Sequence, residues 1–187
     1  MNTSEFKKMG SKVVNDEQYT PRVAVEPIIP YIISAGFKRI WCPFDTHNSE
    51  FVLCLRDAGI EVFFTHISTG ADFLTYEPPF DFDAIVSNPP FSIKMQVLNR
   101  VAEIGKPFAL LLSVPMLNYD SIGTWFMENG GLQLLLLQKK VSFDGNESSF
   151  KVSYFCQRFL PAGLLIAPVE HKNTGRKHIR SRMTLSP

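Results

Sequence analysis

The sequence has 187 residues, of which 45% are hydrophobic and 20% are charged, and its formal net charge is +1. This length and composition are typical of one soluble globular domain with its own core, and they argue against a disordered chain and against two full domains. The three cysteines, Cys42, Cys54 and Cys156, show no CxxC spacing, so neither a disulfide framework nor a zinc site is expected. No apolar run suits a membrane span or a secretion signal, and we expect a protein of the reducing cytoplasm.

The charge is unevenly distributed along the chain. Residues 170–187 carry a net charge of +4, so the rest of the chain is slightly acidic. A basic tail on an acidic body predicts contact with a polyanion such as nucleic acid, and a solvated terminus is the alternative interpretation. The candidate phosphate contacts are Lys172, Arg176, Lys177, Arg180 and Arg182.

The first elements predicted along the chain are a flexible arm over residues 1–18 and short helical pieces over "TPRVAVEPIIPYIISAG". Thr20 is the expected N-cap and Pro21 the expected first helical residue, because a proline is tolerated where the backbone N–H has no partner. Two further prolines interrupt this segment, which ends near Gly36. The domain itself is predicted to span residues 19–169.

Strand-like and helical runs then alternate. The predicted strands are "KRIWCPF", "IEVFFTHI", "FDAIVSN", "PFALLLSV" and "LQLLLLQKK", and most are separated by helical patterns such as "NSEFVLCLRDAG" and "SIKMQVLNRVAEIG". Fully apolar strands that alternate with helices predict an α/β fold with a mostly parallel sheet covered on both faces.

The end of the chain has a different pattern. "VSFDGNESSFKVSYFCQRFL" leaves no room for a crossover helix, which predicts a C-terminal antiparallel β-hairpin, and "AGLLIAP" is expected to extend its last strand. Ligands of such sheets bind beyond the carboxyl ends of the strands. The turns after "KRIWCPF", after "EVFFTH" and at "NPPF" are therefore expected along one edge.

The string "DAIVSNPPFS" ends an apolar strand with a rigid turn. Because proline fixes φ and lacks an N–H, Pro89 and Pro90 stiffen the turn and leave its carbonyls free. The side-chain oxygen of Asn88 and the carbonyl of Pro89 are two adjacent acceptors, which suit an exocyclic –NH2 group, and Phe91 offers a flat face to a base ring. An ordinary Asn-Pro-Pro turn is the alternative.

"SNPPF" resembles the catalytic [N/D/S]-P-P-[Y/F] signature of S-adenosylmethionine-dependent amino-methyltransferases, especially those acting on adenine N6. "YTPRVAVEP" is similar to the segment with which these enzymes contact the methionine end of the cofactor. The chain looks like a compact phage or prophage member of that family. The resemblance implies a Rossmann-like methyltransferase fold, S-adenosylmethionine as cofactor, and methyl transfer to the N6 amine of adenine in DNA, within a bacterial or phage-infected cell.

The resemblance also implies roles for individual residues. Asn88, Pro89, Pro90 and Phe91 would form the catalytic turn. The cofactor would be bordered by Tyr19, Thr20, Pro21, Pro43, Asp45, His66 and Asp72. Phe143, or alternatively Phe150, would line the pocket for the target base.

Two departures from the family pattern concern the cofactor site. In "WCPFDTHNSEF", Thr46 and Asn48 occupy positions where the family has glycines, although asparagine tolerates left-handed backbone geometry. His66 stands where an acidic residue usually binds the ribose hydroxyls, and Asp45 is a possible substitute. The alternatives that stay open are methylation of RNA, and a non-catalytic relative that binds nucleic acid or a partner protein. No metal site is expected.

Overall fold

The computed structural model describes residues 20–143 and 149–169 of the chain. It opens with two short helices, α1 (Arg22–Val25) and α2 (Ile29–Ser34), joined by a 3-10 turn at Glu26–Ile28. Pro21 is extended, with φ −75° and ψ 152°, and precedes α1, so the predicted helix start is wrong by one residue. Thr20 therefore does not act as the N-cap, and its hydroxyl group makes a different contact.

Nine strands follow, with three longer helices between them. The strands are β1 (Arg39–Cys42), β2 (Glu61–Phe64), β3 (Ala84–Ser87), β4 (Phe108–Ser113), β5 (Gln133–Leu137), β6 (Val141–Ser142), β7 (Ser149–Phe150), β8 (Val152–Gln157) and β9 (Leu164–Ala167). The helices are α3 (Glu50–Asp57), α4 (Lys94–Ile104) and α5 (Asp120–Glu128). Further 3-10 turns lie at Ile67–Thr69, Phe91–Ile93 and Val114–Asn118.

Seven strands form one sheet in the order β2-β1-β3-β4-β8-β5-β9. The first four are parallel to one another, and β8 is antiparallel to both of its neighbours. β5 and β8 form the C-terminal antiparallel hairpin, and the small β6–β7 pair lies between them in the chain. The predicted α/β fold with a mostly parallel sheet and a C-terminal hairpin is confirmed.

One prediction about this region is wrong. "AGLLIAP" does not extend the hairpin but forms the separate edge strand β9, which runs parallel to β5. The backbone N–H of Leu134 donates to the carbonyl of Gly163 over 2.8 Å, which fixes the return of the chain to the outer side of β5.

Apolar side chains cover both faces of the sheet. Successive strand residues point to opposite sides, so Ile40 and Val86 pack in one core cluster with α1, α2 and α3, whereas Trp41 and Ile85 pack in the other with α4 and α5. The parallel strands β1, β2 and β3 consequently direct their carboxyl ends, and the loops that follow, to the same edge. No helix within the described ranges is long and apolar enough to cross a membrane.

Candidate active site

The loop after β1 forms the floor of a cleft at this edge. The backbone N–H of Asp45 donates to the carbonyl of Thr65 over 3.1 Å, which ties the loop to the end of β2. The N–H of Thr46 donates to Ser49 Oγ over 2.9 Å, and α3 begins directly afterwards. Arg158 is the one described non-glycine residue with positive φ, so Asn48 does not use left-handed geometry. The loop therefore replaces the family's glycines with side-chain hydrogen bonds and ordinary backbone angles.

Asp45 is a buried carboxylate in this floor, with 6% of its surface exposed. The hydroxyl of Ser87, the last residue of β3, donates a short hydrogen bond to Asp45 Oδ2. Burial raises the pKa of Asp45 from 3.8 to about 6, and hydrogen bonds from Ser87 and Ser49 oppose that rise. No Lys or Arg of the described residues forms an ion pair with Asp45. This part of the cleft is therefore electrically unbalanced when the carboxylate is ionised.

The loop after β2 supplies His66 and Asp72. His66 Nδ1 lies 2.7 Å from Ser68 Oγ and accepts the backbone N–H of Ser68 over 3.2 Å. Since Nδ1 accepts that N–H, a neutral ring carries its hydrogen on Nε2. The side chain of Asp72 accepts the N–H of Leu74 over 3.0 Å, which shapes the turn that follows. Both side chains are held by local contacts rather than by the sheet.

The loop after β3 contains the Asn-Pro-Pro-Phe turn. Asn88 Nδ2 donates to the hydroxyl of Thr20 over 3.0 Å. Asn88 Oδ1 is fully buried and has no hydrogen-bond partner in the described part of the chain. Pro89 is buried, whereas Phe91 is partly buried, begins a 3-10 turn and packs against both core clusters.

These loops enclose a cleft of about 390 Å³. Its wall combines the predicted residues Thr20, Pro21, Pro43, Asp45, His66, Asp72, Asn88, Pro90 and Phe143. It also includes residues that the sequence did not single out for a role at the site, among them Phe44, Ser49, Ile67, Phe73 and Ile93. Phe44 immediately precedes Asp45, but the others carry no chemical signature that sequence inspection would select.

Several predicted residues are not brought into the cleft or cannot be placed. Pro89 and Phe91 do not line it, so base stacking by Phe91 stays a prediction. Tyr19 and the basic residues Lys172, Arg176, Lys177, Arg180 and Arg182 lie outside the described residues. The backbone of Phe150 is in β7, but its side chain is not described. Within residues 20–143 and 149–169, no three His, Cys, Asp or Glu side chains are grouped to hold a metal ion.

The fold is similar to that of a protein from Listeria monocytogenes described as a class I S-adenosylmethionine-dependent methyltransferase. The match has a TM-score of 0.51 and 12% sequence identity, and it covers 83% of this chain and 67% of that chain. The chain has a Rossmann-like methyltransferase fold. No family profile matches the sequence, and no curated protein matches it.

Two further solved structures are less similar. An S-adenosylmethionine-dependent methyltransferase from Clostridium acetobutylicum ATCC 824 gives a TM-score of 0.39 at 10% identity, over 82% of this chain and 98% of that chain. A methyltransferase from Thermoplasma acidophilum gives 0.35 at 10% identity, over 68% of this chain and 59% of that chain.

Proposed function

We propose that this chain is an S-adenosylmethionine-dependent methyltransferase that methylates the exocyclic N6 amine of adenine in DNA. The observation that carries the proposal is the buried Asn88 Oδ1, an acceptor without a partner in the described part of the chain. Leaving such an acceptor unpaired costs about 1–3 kcal/mol. A ligand amine that enters the cleft would supply the missing donor. The rigid turn holds this acceptor next to the carbonyl of Pro89, so one amine could donate to both.

The chemistry of the cleft fits the cofactor. Its volume of about 390 Å³ is within the usual range for small-molecule sites of about 300–1,000 Å³. S-adenosylmethionine carries positive charge on its sulfur and on its ammonium group, and Asp45 is a buried carboxylate without a cationic partner among the described residues. Phe44, Ile67 and Phe73 provide apolar surface for an adenine ring. Thr20, Pro21, Pro43, Asp45, His66 and Asp72 would hold the cofactor, as the sequence predicts.

In the proposed reaction, the cofactor supplies an electrophilic methyl group whose bond to sulfur breaks as the new bond to nitrogen forms. Asn88 Oδ1 and the Pro89 carbonyl accept the two amine hydrogens, which leaves the nitrogen lone pair free to attack. The nitrogen then loses one proton to water. Phe143, which lies in the cleft wall, would contact the base together with Phe91. A base in duplex DNA must leave the stack to enter, at a cost of a few kcal/mol.

Cofactor binding is the first test, and it separates an enzyme from a non-catalytic binding protein. Isothermal titration calorimetry with S-adenosylmethionine should give saturable binding to the purified chain. Asp45→Ala should raise the dissociation constant more than His66→Ala does, because a buried charge pair is stronger than a hydrogen bond to a hydroxyl. Absence of binding to the wild-type chain would contradict the enzyme proposal. Equal affinity in both variants would place the charged end of the cofactor elsewhere.

Transfer to nucleic acid is the second test. Incubation with methyl-labelled cofactor and adenine-containing duplex DNA, followed by nucleoside mass spectrometry, should give N6-methyladenine. Matched RNA is the control, because the amine contacts do not distinguish ribose from deoxyribose. Methylation of RNA alone would replace DNA as the substrate while keeping the chemistry.

The basic segment provides the third test. We propose that Lys172, Arg176, Lys177, Arg180 and Arg182 contact phosphates without reading the sequence. The logarithm of DNA affinity falls with the logarithm of salt concentration, with a slope of about −0.9 for each neutralised phosphate. Deleting residues 172–187 should flatten the slope by several units and leave cofactor affinity unchanged. A truncated chain with the full slope would contradict this role.

A further inference from the structure

The two ends of the Asn88 carboxamide are chemically different, and the cleft needs only one of them. The oxygen accepts hydrogen bonds, whereas the –NH2 group donates them. If the group were rotated by half a turn, Nδ2 would replace Oδ1 at the buried position and would repel a ligand amine. Catalysis by Asn88 therefore depends on a contact that distinguishes its two ends.

The contact that fixes this orientation is with Thr20. Asn88 Nδ2 donates to Thr20 Oγ1 over 3.0 Å, and Oδ1 is left buried and unpartnered among the described residues. The two residues are 68 positions apart in the chain. The turn at Asn88 is stiffened by two prolines, but these prolines fix the backbone and not the rotation of the amide plane.

Thr20 is itself held by the fold. The N–H of Ala24 donates to the carbonyl of Pro21 over 2.9 Å. The hydroxyl of Tyr154 on β8 donates to the carbonyl of Ala24 over 2.7 Å. Ala24 and Tyr154 are both completely buried. The start of α1 is thus fastened to the centre of the sheet, and the hydroxyl of Thr20 is presented to Asn88 from a fixed position.

We propose that Thr20 is a positioning residue for the methyl-transfer step, which holds the carboxamide of Asn88 with its oxygen towards the cleft. This inference rests on the proposed function and assigns to Thr20 a role beyond bordering the cofactor. Valine has nearly the shape of threonine but no hydroxyl group, and serine keeps the hydroxyl. Thr20→Val and Thr20→Ser therefore separate the hydrogen bond from packing.

With cofactor and adenine-containing DNA, Thr20→Val should lower kcat by about tenfold or more, since one directional hydrogen bond is lost. The dissociation constant of S-adenosylmethionine should stay within about threefold, and Thr20→Ser should restore most of kcat. Thr124→Val, at an exposed position on α5, is the matched control and should behave as wild type. Wild-type kcat in Thr20→Val, or a loss confined to cofactor affinity, would overturn the inference.

A second measurement tests the orientation without relying on activity. In a ¹⁵N-labelled chain, the side-chain –NH2 signals of Asn88 can be assigned by their disappearance in Asn88→Asp. Thr20→Val should shift these signals and speed their exchange with water, while Thr124→Val leaves them unchanged. Unmoved signals in Thr20→Val would overturn the inference. If the wild-type chain transfers no methyl group, the proposed function fails, and these signals still report on the Thr20–Asn88 contact.

Discussion

The two ends of the central parallel strands treat a carboxylate in opposite ways. At the amino end of β3, Asp83 Oδ2 accepts the backbone N–H groups of Lys38 and Arg39 over 2.7 and 2.8 Å. These bonds hold the pKa of Asp83 below its ordinary value. At the carboxyl end, Asp45 is buried with hydroxyl partners only, and burial raises its pKa to about 6. One carboxylate is stabilised in its charged form, and the other is destabilised.

The difference shows which edge of the sheet serves stability and which is open to a ligand. Asp83 closes a connection between β1 and β3 that is complete without any other molecule. Asp45 and Asn88 Oδ1 keep unmet electrostatic and hydrogen-bonding needs in the described part of the chain. Buried polar groups are normally satisfied, and exceptions gather at functional sites. The carboxyl edge therefore lowers the stability of the free protein in exchange for affinity.

The largest expected effect comes from removing the orphan acceptor. Asn88→Ala should lower kcat for methyl transfer by about 100- to 1,000-fold or more, because the amine loses one of its two fixed acceptors. Cofactor affinity and the denaturant midpoint should stay close to wild type, since Oδ1 has no protein partner to lose. Single-turnover kinetics and calorimetry measure the two quantities. A variant with wild-type turnover on a confirmed substrate would contradict the assignment of the Asn-Pro-Pro-Phe turn.

Neutralising Asp45 should stabilise the protein. Its folded pKa, about 6, is above the ordinary 3.8, so the stability that the protonated form contributes is complete below about pH 4 and is lost as the pH rises through about 6. At about 1.4 kcal/mol per pH unit between these values, the ionised carboxylate costs about 3 kcal/mol at pH 7. Asp45→Asn should remove this pH dependence and raise the free energy of unfolding at pH 7.

Urea denaturation of wild type and Asp45→Asn at about pH 4.5 and pH 7 measures this effect. The two proteins should differ little at the lower pH and by about 1–3 kcal/mol at the higher pH. The same variant should bind the cationic cofactor more weakly. If the two proteins showed parallel pH profiles, Asp45 would not be the buried charge that the structure indicates.

At the opposite edge, Asp83→Ala should have the reverse consequence. Two backbone N–H groups lose their acceptor, and the free energy of unfolding should fall by about 1–3 kcal/mol. Since the pKa of Asp83 is lowered, its contribution is present at neutral pH and is lost as the pH falls through the folded pKa. Methyl transfer per folded molecule should not change. Asp83→Asn, which keeps one acceptor, should be intermediate in a denaturant titration.

The smallest effect is expected at Asp81, which is exposed and pairs with Arg39 over 2.7 Å. Solvent screens such pairs, so Asp81→Asn should leave the denaturant midpoint and the turnover unchanged within error. It is therefore the matched control for the other two aspartate substitutions. A measurable loss of stability would show that charge alone, rather than the backbone hydrogen bonds of Asp83, maintains this edge.

The strands of the sheet could be predicted from the sequence because their patterns are local. Apolar runs bounded by turn residues mark β1 to β5, and "SNPPF" at the end of β3 predicts a rigid turn with free acceptors. The rule that ligands bind at the carboxyl ends of parallel strands then brings Pro43, His66 and Asn88 together before any contact is known. The strand β9 was missed because "AGLLIAP" gives no sign of which neighbour it pairs with.

The tertiary structure alone decided which of these groups are buried and what each one contacts. No local pattern brings Thr20 to Asn88 across 68 positions, and none distinguishes the buried Asp45 from the exposed Asp81. Phe91, which the sequence offers as an exposed ring, packs against both core clusters because the chain turns into a 3-10 segment there. Burial and pKa depend on atoms from distant parts of the chain. The sequence therefore determined the fold class and the position of the reactive turn, whereas the packing of α1 and of the strand ends against one another decided its electrostatics.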